Sequence, residues 1–189
     1  MAEIGHNRGP SLQPGQTYRT FQWRQAQRAL MPKTMPLMII RMRVMRAREL
    51  GMDYQTYASV RQASGQDILA LMFSSYALRV IGPGAKMPGA EEKALKAIKA
   101  AKKLALVHAP QSPFAVLQAN PILDAADAAP QFTDSWSEMR KRLADFVEAQ
   151  KLPANQVLII GDTALEREWV TAAKAGGYLP ADRYFVAHP

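Results

Sequence analysis

Three residue types that carry proton and nucleophile chemistry stand at the ends of short apolar runs in this chain. Ser74 and Ser75 follow Asp67–Phe73, His108 follows Leu104–Val107, and Asp162 follows Val157–Ile160 and Gly161. Continuous apolar runs of that length read as strands buried on both faces of a parallel sheet. Parallel strands share a direction, so their last residues gather at one edge, and open α/β sheets bind their ligands beyond that edge. Ser75, His108 and Asp162 would there supply the parts of a nucleophilic triad: a hydroxyl to attack, an imidazole to take its proton, a carboxylate to orient the imidazole. No G-x-S-x-G elbow surrounds Ser75. Each residue also has a structural use, since serines close turns, a strand-end histidine hydrogen-bonds, and an acid favours a helix N-terminus.

The elements that must position these residues are legible in the same way. Val157–Ile160 stops at Gly161-Asp162-Thr163 and gives way to a helical pattern that ends at Gly176-Gly177, which predicts strand, sharp turn and helix. Ala90–Lys103 is predicted helical, with Ala94, Leu95, Ile98 and Ala101 inward and its lysines as a solvated face. Residues 109–133 hold Pro110, Pro113, Pro121 and Pro130 and read as a loop with one helical turn near Phe114–Gln118. Ser135-Trp136-Ser137-Glu138 has the capping-box pattern, opening a helix whose apolar face is Trp136, Met139, Leu143, Phe146 and Val147. Arg183–Ala187 is expected to be a fourth strand. This alternation implies an α/β fold, a three-layer sandwich around a small parallel sheet of about four strands, joined by right-handed crossovers.

Composition narrows the classes of function. The 189 residues contain no cysteine, which excludes disulfides, thiolate nucleophiles and cysteine-ligated metals and fits a reducing compartment. No apolar run is long enough to span a bilayer and the first twenty residues have no apolar signal core, so a cytoplasmic location and no membrane partner are expected. The net charge of +8 lies almost entirely at the front: residues 1–65 carry ten Lys/Arg against three acids, residues 66–189 fourteen against thirteen. Such asymmetry suits a polyanionic partner. Three parts follow: residues 1–19 as a flexible basic arm, residues 20–65 as a small helical part, and residues 66–189 as a Rossmann-like α/β domain.

Within the helical part, Thr20–Met31 forms a short amphipathic helix, and Leu37–Leu50 carries two apolar stripes, Leu37/Ile40/Val44/Ala47 and Met38/Met42/Met45. A methionine stripe ordinarily packs in a core, and its alternative use is docking a protein partner or a second copy of the chain. Gly51 ends this helix and Asp53 caps the next, Tyr54–Ala63. Ala47–Val60, with a small residue four before the turn glycine and inward Tyr57 and Val60, resembles a helix-turn-helix, although Tyr57 stands where a branched aliphatic is usual. That resemblance implies DNA binding. Arg41, Arg43, Arg46 and Arg48 would contact phosphates, and Gln55, Thr56, Ser59, Arg61 and Gln62 would face the bases. Ile4-Gly-His-Asn-Arg-Gly-Pro10 in turn resembles a short N-terminal tag of small bacterial phage- and plasmid-linked proteins.

Lys151–Glu166, continuing through Ala172–Gly176, is similar to the C-terminal acidic motif of haloacid-dehalogenase-like phosphohydrolases: strand, Gly-Asp, a second acid four residues on, then a helix ending in Ala-Gly. The resemblance implies a magnesium ion held by Asp162 and Glu166. It stops short of the first strand, where the family has a nucleophilic aspartate and this chain has Ser74-Ser75. The same letters, Thr163-x-x-Glu166, also form a capping box that needs no metal. Three functions are thus expected in order: a nucleic-acid-binding accessory protein without a cofactor, a magnesium-dependent phosphohydrolase, and a structural subunit docking through Met38, Met42 and Met45.

Overall fold

A computed structural model of the protein describes residues 35–82 and 86–186. The expected arm at residues 1–19 and the helix at Thr20–Met31 lie outside the described residues. The chain divides into two compact units, Met1–Ile40 and Arg41–Pro189. The first contributes the described Met35–Ile40, whose Ile39 and Ile40 amides donate to the Pro36 carbonyl and open a helix.

In the larger unit five strands form one all-parallel sheet: β1 (Ala70–Ser74), β2 (Lys102–Val107), β3 (Ala125–Ala128), β4 (Val157–Gly161) and β5 (Gly177–Pro180), in the order β3-β2-β1-β4-β5. The chain steps outward from β1 through β2 to β3, then returns to the other side of β1 for β4 and β5. The order therefore reverses between β1 and β4. In doubly wound sheets that switch point opens a crevice at the carboxyl ends of the strands. Register carries Phe73 opposite both Ala105 and Ile160, so the ends of β1, β2 and β4 lie level.

Alternation along the central strands divides the core. Leu71, Phe73, Leu158 and Ile160 face one side, and Ala70, Met72, Val157 and Ile159 face the other. The first face buries the C-terminal half of α1 (Leu37–Glu49), α2 (Tyr54–Ser64), α3 (Gly89–Ala97), α4 (Pro113–Ala119) and α7 (Ala181–Val186). The second is covered by α5 (Trp136–Ala149) and α6 (Glu168–Ala173). The three-layer α/β sandwich expected from the sequence is thus the fold. Among the described residues no helix is long and apolar enough to cross a membrane.

Four expectations change. The strand expected at Arg183–Ala187 is replaced by a helix at Ala181–Val186, and the last strand among the described residues is Gly177–Pro180. Ala125–Ala128 adds a strand inside the stretch expected as loop, beside the helix at Pro113–Ala119, so the sheet has five strands rather than four. The boundary expected near Gly65 moves to Ile40/Arg41, because Ala47, Leu50, Tyr57 and Val60 belong to the core cluster that holds Leu71 and Leu158. The methionine stripe is not core: Met38, Met42 and Met45 are 75%, 65% and 61% exposed.

Candidate functional site

The helix pair α1–α2 is built as its sequence suggests. Asp53 caps α2 by accepting from the Thr56 amide at 2.9 Å, and the Thr56 hydrogen bonds hold the Asp53 carboxyl below its ordinary pKa. Gly65 closes the helix in the left-handed conformation (φ 70°), which only glycine adopts without strain.

Its arginines divide into two kinds. The Arg46 guanidinium donates to Asp67 Oδ2 (3.1 Å), Glu49 Oε2 (3.1 Å) and the carbonyls of Ile68 (2.7 Å), Lys99 (3.3 Å) and Ala100 (3.1 Å). Arg61 pairs with Asp67 Oδ1 at 3.5 Å and donates to the Tyr57 hydroxyl, which itself donates to Asp67. These two clip the helix pair to the start of β1 and to the loop before β2, so Arg46 is engaged within the protein rather than free for the phosphate contact expected of it, and Arg61 rather than free for a base contact. Arg41 and Arg48 are exposed, Arg43 is half-buried, and Gln55, Ser59 and Gln62 form an exposed polar row on α2. The Thr56 hydroxyl is committed to Asp53.

At the carboxyl edge of the sheet the expected Ser75, His108 and Asp162 do not form a triad. His108 meets Ser75 but reaches Glu166 instead of Asp162. Its Nδ1 lies 3.0 Å from Ser75 Oγ, and its Nε2 lies 3.4 Å from Glu166 Oε1. Ser75 Oγ also accepts the His108 amide at 3.1 Å, so the serine holds the histidine by both its backbone and its ring. Burial pushes the His108 pKa below its ordinary 6.5 while the Glu166 charge pulls it up; burial is the larger effect, so the ring is neutral at pH 7. The pair is a carboxylate facing a neutral imidazole rather than an ion pair. Ser75 is 1% exposed and is not among the residues that line the cavity beside His108; its hydroxyl orients the imidazole.

Glu166 is 1% exposed and folds back over the turn after β4. Its Oε2 accepts the amides of Asp162 (2.6 Å) and Thr163 (2.9 Å), while its own amide donates to Thr163 Oγ1 at 3.4 Å. This is the capping box of Thr163-x-x-Glu166. The turn requires Gly161: a Cβ there would lie 2.7 Å from Glu166 Oε2 and 2.9 Å from the Tyr178 hydroxyl, which donates to the Thr163 carbonyl.

Asp162 points elsewhere, to Arg79 at 3.0 Å. The two acids therefore do not converge on a shared point, and the described residues contain no group of three acidic or histidine side chains able to hold a metal. The arrangement does not fit the magnesium implied by the phosphohydrolase resemblance. The end of β1, where that family has its nucleophilic aspartate, holds the buried Ser74 and Ser75.

What the edge does contain is a cavity of about 710 Å³, within the range of small-molecule sites. Its floor is His108 and Glu166. The imidazole is stacked on Tyr76 (4.1 Å between ring centres, 17° between planes) and on Trp169 (5.5 Å, 27°). Its rim is the loop before α5 and the first turn of that helix, with Phe132 85% and Trp136 49% exposed. The sequence carries no sign of this rim, because Trp136 reads as part of the core face of α5; of that face Leu143, Phe146 and Val147 are buried, Met139 packs half-buried against the same core, and Trp136 is exposed. In comparisons with family models, curated proteins and solved structures, the chain has no match.

Proposed function

We propose that the protein is a binding module whose ligand occupies the cavity at the carboxyl edge of the sheet. The observation that carries this reading is the row of aromatic side chains at the mouth of an otherwise well-packed edge. Large apolar rings are expensive to leave in water, and here they surround a concavity beside the switch point of a parallel sheet. The floor supports binding rather than turnover: Nδ1 of His108 is held by Ser75, Nε2 lies 3.4 Å from the buried Glu166, and the ring is stacked on Tyr76 and Trp169.

Titrating the intact protein with a panel of small aromatic and aliphatic fragments, followed by indole NH resonances in NMR, tests the reading. Ligands of the cavity shift Trp136 and Trp169, and Trp136→Ala weakens them about tenfold or more. If no fragment moves either signal at millimolar concentration, the cavity is not a binding site.

A second reading, nucleic-acid binding through residues 41–62, is favoured by the exposed row Gln55, Ser59 and Gln62 with Arg41 and Arg48 beside it. Arg46 and Arg61 are engaged within the protein, so the number of phosphate contacts is small. Affinity for duplex DNA is then expected to fall with salt at a shallow slope, about 0.9 per phosphate contact, and Arg48→Ala should lower that slope by about one. Absence of binding at low salt leaves the helix pair as a structural cap.

A further inference from the structure

From the walls and charges of the cavity we infer that its ligand is an organic cation, an alkylated or quaternary ammonium group, held by the aromatic rim above the buried Glu166 carboxylate. The inference rests on the cavity being a binding site, and it adds the class of ligand.

The chain carries a net +8, yet among the described residues no lysine or arginine lines this cavity, while Asp134, Glu166 and Glu168 do. Arg142 lies 3.5 Å from Asp134 and offsets that acid. Glu168 is exposed and has no ion pair among the described residues. Glu166 Oε2 is taken by the Asp162 and Thr163 amides, while its Oε1, 3.4 Å from the neutral His108, is buried without a hydrogen-bond partner. A carboxylate with one oxygen unmatched, removed from water, keeps a negative potential over the space beside it, because little solvent screens it.

The same cavity is lined by aromatic rings. Tyr76, Phe132, Trp136 and Trp169 give the cavity the composition of the aromatic cages that bind quaternary ammonium groups, where ring quadrupoles attract a cation and methyl groups fill the space between rings. An anion would meet the same carboxylates at a cost and find no donor side chain of positive charge. A neutral apolar group would fit the rings but leave the charge unanswered. The cation alone uses both features.

Free ammonium compounds and an alkylated lysine on a peptide share this chemistry. The test titrates the intact protein by calorimetry with choline, with a short peptide carrying one trimethyllysine, and with 3,3-dimethylbutan-1-ol, in which carbon replaces the choline nitrogen. At least one cation is expected to bind about tenfold more tightly than the neutral alcohol, a difference within the range of desolvated cation–π contacts. Which cation binds then separates the two sources. Glu168→Gln, at an exposed position, should weaken the cation several-fold and leave the alcohol unchanged.

Equal affinity for choline and the alcohol overturns the cation inference while leaving the cavity as a binding site. So does a cavity that takes aromatic fragments but neither cation. If no compound of any class shifts the Trp136 and Trp169 signals, the binding site itself falls, and this inference with it.

Discussion

Arg46→Ala is expected to cost about 3 kcal/mol or more of folding stability, on the scale of breaking a part-buried charged network. The guanidinium is 15% exposed and makes five hydrogen bonds that tie α1 to Asp67, to the Ile68 carbonyl beside β1 and to the carbonyls of Lys99 and Ala100. Removing it leaves Asp67 with only Tyr57 and Arg61 as side-chain partners, and it frees a loop in which Ala100 sits at φ 53°, a conformation that needs support from its surroundings. Arg46→Lys should recover little, because an ammonium cannot reproduce a planar fork that serves five acceptors at once. Arg43→Ala, one turn away and without an ion pair among the described residues, is the control and should fall within about 0.5 kcal/mol of the parent. Urea unfolding of the three variants measures this through the midpoint at constant slope. A loss below about 0.5 kcal/mol for Arg46→Ala would return that arginine to the solvent and to the role of a phosphate ligand.

The contrast between Arg46 and Arg48 shows where a sequence stops being readable. Both stand in one basic helix, and charge counting treats them alike. Which arginine is spent depends on Asp67 and on the loop at residues 98–100, which arrive from β1 and β2. The central strands were legible because each is buried on both faces and must therefore be a continuous apolar run, as in Leu104–Val107 and Val157–Ile160. The edge strands were not. Ala125-Ala126-Asp127-Ala128 is half-buried along its whole length and carries no β-branched residue, and Gly177-Tyr178-Leu179-Pro180 looks like the end of a helix. Both take their conformation from the neighbour they pair with, β2 and β4 respectively.

The site was legible to the same depth. Strand ends brought Ser75 and His108 to one place, as level register requires. The acid that completes the contact was misassigned, because Asp162 and Glu166 are both near the end of β4 and only the backbone path decides between them. Gly161 allows Glu166 to fold inward under the turn, and Arg79, from the turn after β1, draws Asp162 outward. Nothing in the local pattern of Gly161–Glu166 announces Arg79.

Glu166 is also where the second large effect is expected. Glu166→Ala should destabilise by about 3 kcal/mol, since it strips the acceptor from the Asp162 and Thr163 amides and empties a buried position. Glu166→Gln keeps an oxygen for both amides and should cost about 1 kcal/mol, because it removes the charge that faces His108 Nε2. The two variants also differ from the parent in their dependence on pH. His108 has a native pKa below 6.5 through burial, opposed by the Glu166 charge. Above 6.5 neither the native nor the unfolded chain holds this proton, and the histidine leaves stability unchanged. As pH falls through 6.5 the unfolded chain binds the proton first, so stability declines, and the decline ends only when the pH passes the native value. In Glu166→Gln the opposing charge is gone and the native pKa drops further. The loss of stability on acidification then continues to lower pH and becomes larger than in the parent. Unfolding free energies measured from about pH 7.5 down to about pH 5 for parent and variant give the comparison, with His108→Gln identifying the part of the slope that belongs to the histidine. Parallel curves for parent and Glu166→Gln would mean that the carboxylate does not act on His108 and serves the turn after β4 alone.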